Sequence, residues 1–181
     1  MGWKLKKTIV MVGMMGAGKT AVGRALAAEL AVPFLDSDHE IETAASMNIA
    51  EIFDRDGEPF FRARETEVIQ RLLDGPPCVL STGGGAYLAD RNRSLISQKG
   101  LAVWLNADLE LLWNRVKHRD SRPLLKTPNP KATLTALYEK RVPVYATADV
   151  TVLASPDITV QTMAIRVADA IKARPDVLEP K

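Results

Sequence analysis

Five short apolar runs recur along the chain, at residues 8–12, 33–35, 78–81, 101–105 and 150–153. They do not alternate with polar positions. Unalternating runs of this length suit strands covered on both faces, as in a parallel sheet. Longer stretches with helical spacing lie between them, at residues 21–30 and 60–73 and, less cleanly, at 109–117 and 131–145. The last helical pattern is the clearest, because Val160, Met163, Ala164, Val167, Ala168 and Ile171 fall on one face. The β-α alternation predicts a three-layer α/β fold, with helices on both faces of a mainly parallel sheet. The pattern predicts one domain over residues 1–173. The tail 174–181 carries two prolines and is expected to be frayed.

One segment breaks the rhythm. Residues 118–130 read HRDSRPLLKTPNP, with three prolines, several charges and little to bury. A loop of that length inside a compact domain is expected to be a functional lid, the alternative being an ordinary solvated connection.

Composition narrows the function classes. A chain of 181 residues is long enough for one hydrophobic core. A net charge of +2 leaves no electrostatic footprint for nucleic acid. Cys78 is the single cysteine, so no internal disulfide can form and a reducing, cytoplasmic setting is expected. Its expected place is in the core beside a strand. The apolar stretch at residues 9–17 is far short of the ~20 needed to span a bilayer and contains Gly13 and Gly16. Lys4, Lys6 and Lys7 ahead of it give a superficial likeness to a leader peptide, but Lys19 and Arg24 interrupt the pattern. No long apolar stripe demands a partner, so a monomer is expected.

Gly13-Met14-Met15-Gly16-Ala17-Gly18-Lys19-Thr20 matches the phosphate-loop pattern G-x-x-x-x-G-K-[ST] in full, after an expected strand and before an expected helix. The glycines allow backbone N–H groups to converge on phosphate oxygens with no Cβ in the way. Lys19 supplies a positive charge for the β- and γ-phosphates, and Thr20 offers a hydroxyl to Mg²⁺. The following helix, beginning around Ala21, directs its positive end at the anion. These residues imply a nucleoside triphosphate with Mg²⁺.

The loop does not name an acceptor. Asp36-Ser37-Asp38 lies at the end of the second expected strand, where ligands gather in a parallel sheet. One carboxylate there suits a place near Mg²⁺ and the other a place near an acceptor hydroxyl, unless Asp38 merely caps the next helix. Arg62 and Arg64 are two apart on an expected helix and point to different faces, so at most one faces a pocket. Arg141 lies in an Arg-x-Pro-x-Tyr setting and Arg122 in the expected lid. Gly83-Gly84-Gly85 directly follows the third strand, where a substrate lying against bare main chain would explain it. His39 and His118 have no partners at metal-ligand spacing.

In combination these motifs resemble shikimate kinase, over roughly residues 8–171. The marks are the phosphate loop, Asp36-x-Asp38, Phe61-Arg62, the triple glycine, Arg122-Pro123-Leu124-Leu125 and Arg141-x-Pro-x-Tyr145. The resemblance implies a fold like that of nucleoside monophosphate kinases, with a five-stranded parallel sheet in the order 2-3-1-4-5. It implies transfer of the ATP γ-phosphoryl group to the 3-hydroxyl of shikimate. By position it makes Asp38 the holder of the hydroxyls and the proton acceptor, with Lys19 and Arg122 on the transferring group. Arg62 and Arg141 would bind the carboxylate, with Gly83, Gly84 and Gly85 nearby. Asp36 and Thr20 would serve Mg²⁺, and Arg115 and the Ser155-Pro156 turn would lie near adenine. Gly13, Gly16, Ala17 and Gly18 would complete the nucleotide site. The rival readings are a gluconate kinase and a nucleotide-binding regulatory protein without catalysis.

Overall fold

A computed structural model of the chain describes residues 2–118 and 126–181. Five of its strands form one parallel sheet: β2 (Thr8–Val12), β3 (Phe34–Asp36), β4 (Val79–Ser81), β5 (Gly100–Asn106) and β6 (Val150–Leu153). Their spatial order is β3-β4-β2-β5-β6. Counted within the sheet this is the order 2-3-1-4-5, as expected. β2 and β4 are buried along their whole length, which is why their sequences show no alternation.

The sheet register prepares the site. Asp36 pairs with Ser81, and Ser81 with Met11, so three strands end side by side. The chain leaves β2 into the phosphate loop, β3 into a helix and β4 into the triple glycine. All three exits lie at the carboxyl edge, where open α/β sheets bind ligands.

Helix α1 (Lys19–Leu30) begins where the phosphate loop ends and buries Val22, Leu26, Ala27 and Leu30 against the main core. It packs on α8 (Val160–Lys172). A smaller apolar cluster of Ile41, Ile52, Phe61 and Val68 ties together α2 (Ser37–Ala45), α3 (Ile49–Asp56) and α4 (Glu58–Asp74). That cluster is a separate brace for the part of the chain carrying Arg62. The remaining helices are α5 (Asp90–Lys99), α6 (Leu109–Val116) and α7 (Pro130–Tyr145). α7 contains Pro143 in its last turn, where the missing amide costs a single helical hydrogen bond.

Two features depart from expectation and one decides between two open readings. The tail is not frayed: β7 (Leu178–Pro180) pairs antiparallel with β1 (Trp3–Leu5). Val177 and Leu178 are buried, and Lys6 donates its amide to the Val177 carbonyl at 2.7 Å. Two apolar residues and a partner strand outweigh the flanking prolines. Second, α2 is capped by Asp36 rather than Asp38; Asp36 Oδ1 accepts from the amides of Asp38 at 2.9 Å and His39 at 3.2 Å. Asp38 is therefore released from the capping role. Third, α3 and α5 were not expected. α3 is short, and α5 buries only Asn92 and Ile96 of its ten residues. Cys78 is buried beside Thr8, as expected. Of the lid segment 118–130, residues 119–125, including Arg122, lie outside the described residues.

Candidate active site

Two cavities open at the carboxyl edge of the sheet. One, of about 690 Å³, is lined by the phosphate loop from Met15 to Ala21 together with Asp36, Thr82 and Arg115. The other, of about 670 Å³, is lined by Arg62, Glu65, Arg141, Phe61, Gly85 and the side chains of α3. Met15, Asp38, Gly83 and Gly84 line both. Asp38 therefore stands at the seam.

The phosphate side is shaped by backbone. Gly16 has φ +83°, and a Cβ there would meet Val116 Cγ1 at 2.8 Å, so both conformation and space demand glycine. Gly18 takes a left-handed conformation and opens α1, whose first amides face the cavity end of the loop. Gly13 lies behind the loop. Lys19 donates to the carbonyls of Gly13 at 2.7 Å and Met14 at 3.0 Å. Arg115, from α6, donates to the Gly16 carbonyl at 2.9 Å and lines the cavity. On the far wall, Ala154 and Ile158 line the space, while Ser155 and Pro156 between them are not among its lining residues. Val160 and Met163 extend this wall from α8.

Thr20 is exposed on the first turn of α1 and Asp36 is half-buried, both on the phosphate cavity. Asp36 engages one carboxylate oxygen in its cap, leaving the other for a cation. Among the described residues no cluster of three His, Cys, Asp or Glu could hold a metal unaided. A hydroxyl and one carboxylate oxygen suit Mg²⁺, which keeps waters and takes phosphate oxygens as further ligands.

At the seam, Asp38 Oδ1 is buried with no hydrogen-bond partner. Burial, reinforced by the charge of Asp36 and opposed by Lys19, pushes its pKa from 3.8 up to about 6. The carboxylate is thus ionised at neutral pH but more basic than an exposed aspartate.

The second cavity is built from side chains. Arg62 and Glu65 are one turn apart on α4 and pair at 2.9 Å, with Glu65 almost fully buried. Burial raises the Glu65 pKa, and the Arg62 guanidinium opposes the rise. Arg62 also lies 5.2 Å from the Phe61 ring centroid, a cation–π contact with the small apolar cluster. Arg64 points elsewhere and pairs with Glu67 at the surface. Arg141 is buried, with Nε and Nη1 unpartnered. A buried guanidinium with unmatched donors suits a planar anion.

The triple glycine explains how these groups come together. A Cβ on Gly83 would sit 3.0 Å from both oxygens of Asp38, one on Gly84 2.9 Å from Arg141 Nη1, and one on Gly85 2.5 Å from Arg62 Nη2. Each glycine makes room for one charged side chain. The nearest neighbours of this bare main chain are the site's own residues. Sequence reasoning missed Glu65 and Tyr145. The first had a visible signal in its i+3 spacing from Arg62. The second, whose hydroxyl donates to the Gly84 carbonyl, was seen only as part of a motif.

Comparisons with known proteins agree with this geometry. A family model for shikimate kinase matches residues 15–172. A shikimate kinase from Ruegeria pomeroyi is 65% identical over 175 residues, covering 97% of this chain and 90% of its own. One from Cereibacter sphaeroides is 65% identical over 176 residues, covering 97% and 88%. The structure of shikimate kinase from Acinetobacter baumannii in complex with shikimate superimposes with a TM-score of 0.86 at 40% identity, covering 92% of this chain and 93% of that one. With the family model spanning most of its length and such relatives matching nearly all of it, the chain belongs to the shikimate kinase family and is an ATP-dependent kinase.

Proposed function

We propose that the protein transfers the γ-phosphoryl group of ATP to the 3-hydroxyl of shikimate, giving shikimate 3-phosphate and ADP, across the seam at Asp38. The observation that carries this reading is the meeting of two unlike cavities at one carboxylate. One is a phosphate cradle, and the other contains two guanidiniums, one of them with unmatched buried donors.

In this reading Arg62 and Arg141 hold the acceptor's carboxylate, since a planar fork matches a planar anion. Glu65 keeps the Arg62 fork in place through their ion pair. With the carboxylate fixed, the acceptor's hydroxyls reach the seam, where Asp38 accepts a hydrogen bond from the attacking oxygen and then its proton. A base with a pKa of about 6 is ionised at working pH and still basic enough for the task. The loop amides and Lys19 neutralise the β- and γ-phosphate oxygens. Mg²⁺, held through Thr20 and Asp36 when bound, supplies further charge neutralisation on those oxygens. Arg115 forms the nucleotide-side wall, and the adenine lies towards Ala154 and Ile158. Arg122, assigned from its sequence position alone, approaches the transferring group from the lid. Such transfer depends on positioning and charge stabilisation more than on covalent participation by the protein.

The test is ADP release followed by a coupled assay, with shikimate and gluconate in parallel. Shikimate-dependent turnover with no gluconate-dependent turnover supports the reading. Turnover with gluconate, or release of ADP that ignores both, removes it.

A further inference from the structure

The steps above leave the Tyr145 hydroxyl unused. Tyr145 lies near the C-terminal end of α7, one helical turn after Arg141. Its ring is 1% exposed and packs on Trp104 of β5 with centroids 6.2 Å apart. It is therefore anchored in the main core and does not line the acceptor cavity.

The hydroxyl donates its one proton to the Gly84 carbonyl. Its oxygen can then only accept. Its charged neighbour is Arg141, one helical turn earlier on α7, whose positive charge acts on the hydroxyl. Gly84 adjoins both groups, since a Cβ there would lie 2.9 Å from Arg141 Nη1 and 3.9 Å from the phenol oxygen. Arg141 thus lies against the glycine turn beside the phenol, while Nε and Nη1 stay buried and unmatched. An arginine side chain has many rotamers, and one that must meet a planar anion gains from being fixed beforehand.

We propose that Tyr145 is a positioning residue for acceptor recognition: pinned by the Gly84 carbonyl, its hydroxyl selects the rotamer in which Arg141 presents its free donors to the acceptor's carboxylate. The inference rests on Arg141 being a carboxylate ligand. Its alternative is that the hydroxyl merely satisfies a turn carbonyl, which would affect stability and nothing specific to the acceptor.

Tyr145→Phe keeps the ring and its packing on Trp104 and removes the hydroxyl alone. Titration calorimetry should show shikimate affinity reduced about tenfold, the scale of a hydrogen bond to a charged group. ATP affinity and kcat at saturating shikimate should each change less than about twofold. In an Arg141→Lys background, the added Tyr145→Phe change should shift shikimate affinity less than about twofold, because the fork it positions is gone. The proposal is overturned if Tyr145→Phe leaves shikimate affinity unchanged while Arg141→Lys weakens it. It is equally overturned by the same tenfold loss in both backgrounds, or by a Tyr145→Phe protein that does not fold. An Arg141→Lys variant with normal shikimate affinity would instead defeat the carboxylate reading, and the inference with it.

Discussion

The phosphate cavity is built around one consecutive run, Met15 to Val22, and is shaped there largely by main chain. The acceptor cavity draws Asp38, Arg62, the glycine turn and Arg141 from four separate segments and works through their side chains. In the first, a glycine is needed for backbone conformation, as at Gly16 with φ +83°. In the second, Gly85 has φ −93°, open to any residue, and is needed for the room it leaves to Arg62. A local backbone site serves any triphosphate. A dispersed side-chain site specifies the acceptor, and its precision depends on how the helices are braced.

The largest effect expected is at the seam the two cavities share. Asp38→Asn should lower kcat about 10²–10⁴-fold, with ATP affinity close to normal by titration calorimetry. Retention of more than about a tenth of the activity would show that transfer does not need this base. The pH profile sharpens the point. Because the Asp38 pKa is raised from 3.8 to about 6, wild-type kcat/KM should fall as pH drops through about 6, and the Asn variant should lack that limb. Stability should run the other way. Between pH ~4 and ~6 the folded state keeps a proton that the unfolded state has lost, so the Asp38 contribution to stability falls as pH rises through this window. Asp38→Asn should therefore be more stable than wild type at pH 8, by up to about 3 kcal/mol in denaturant unfolding, with the difference shrinking towards pH 4.

Next comes the lid. Arg122→Ala should damage kcat more than shikimate affinity, by up to about 10³-fold if the arginine meets developing charge. Steady-state kinetics showing a change confined to KM for shikimate would place it among ground-state contacts instead. Smaller effects are expected on the acceptor side. Arg62→Lys and Arg141→Lys should each weaken shikimate binding about 10- to 150-fold and ATP binding little, since lysine keeps the charge but loses the fork. Equal losses for both ligands would break the division between the cavities.

The smallest effects come from a pair of glycine substitutions. Gly85→Ala should raise KM for shikimate about tenfold at most, by displacing the flexible Arg62 tip, with the melting temperature nearly unchanged. Gly16→Ala should instead weaken ATP binding and lower the melting temperature, because it strains φ and meets Val116. Identical profiles for the two variants would mean that their glycines do the same job.

How much of this was legible follows the same division. The phosphate loop could be read whole because its function lies in consecutive residues. The sheet order came through the resemblance, and the strands themselves from buried apolar runs. Arg62 and Arg141 could be nominated as residues, but no spacing in the sequence shows that Gly84 and Gly85 press against them. The cap on α2 was ambiguous because Asp36 and Asp38 are both good caps two residues apart; the end of β3 at Asp36 decides it. α5 was missed because its ten residues show almost no apolar face. β1 and β7 are three residues each, too short for periodicity, and each is stabilised by a partner at the opposite end of the chain.

The seam also bears on inhibition. Among the described residues, Met15, Asp38, Gly83 and Gly84 border both cavities, so the two adjoin along this seam. A single molecule joining the two would need only a short linker. Tethering at such short range gives each half a high effective concentration for its own cavity, and joint affinity can exceed that of either half by about 10²–10⁴-fold. The nucleotide half would contribute binding common to many phosphate-loop proteins. A carboxylate half matched to Arg62 and Arg141, as proposed, would carry the selectivity.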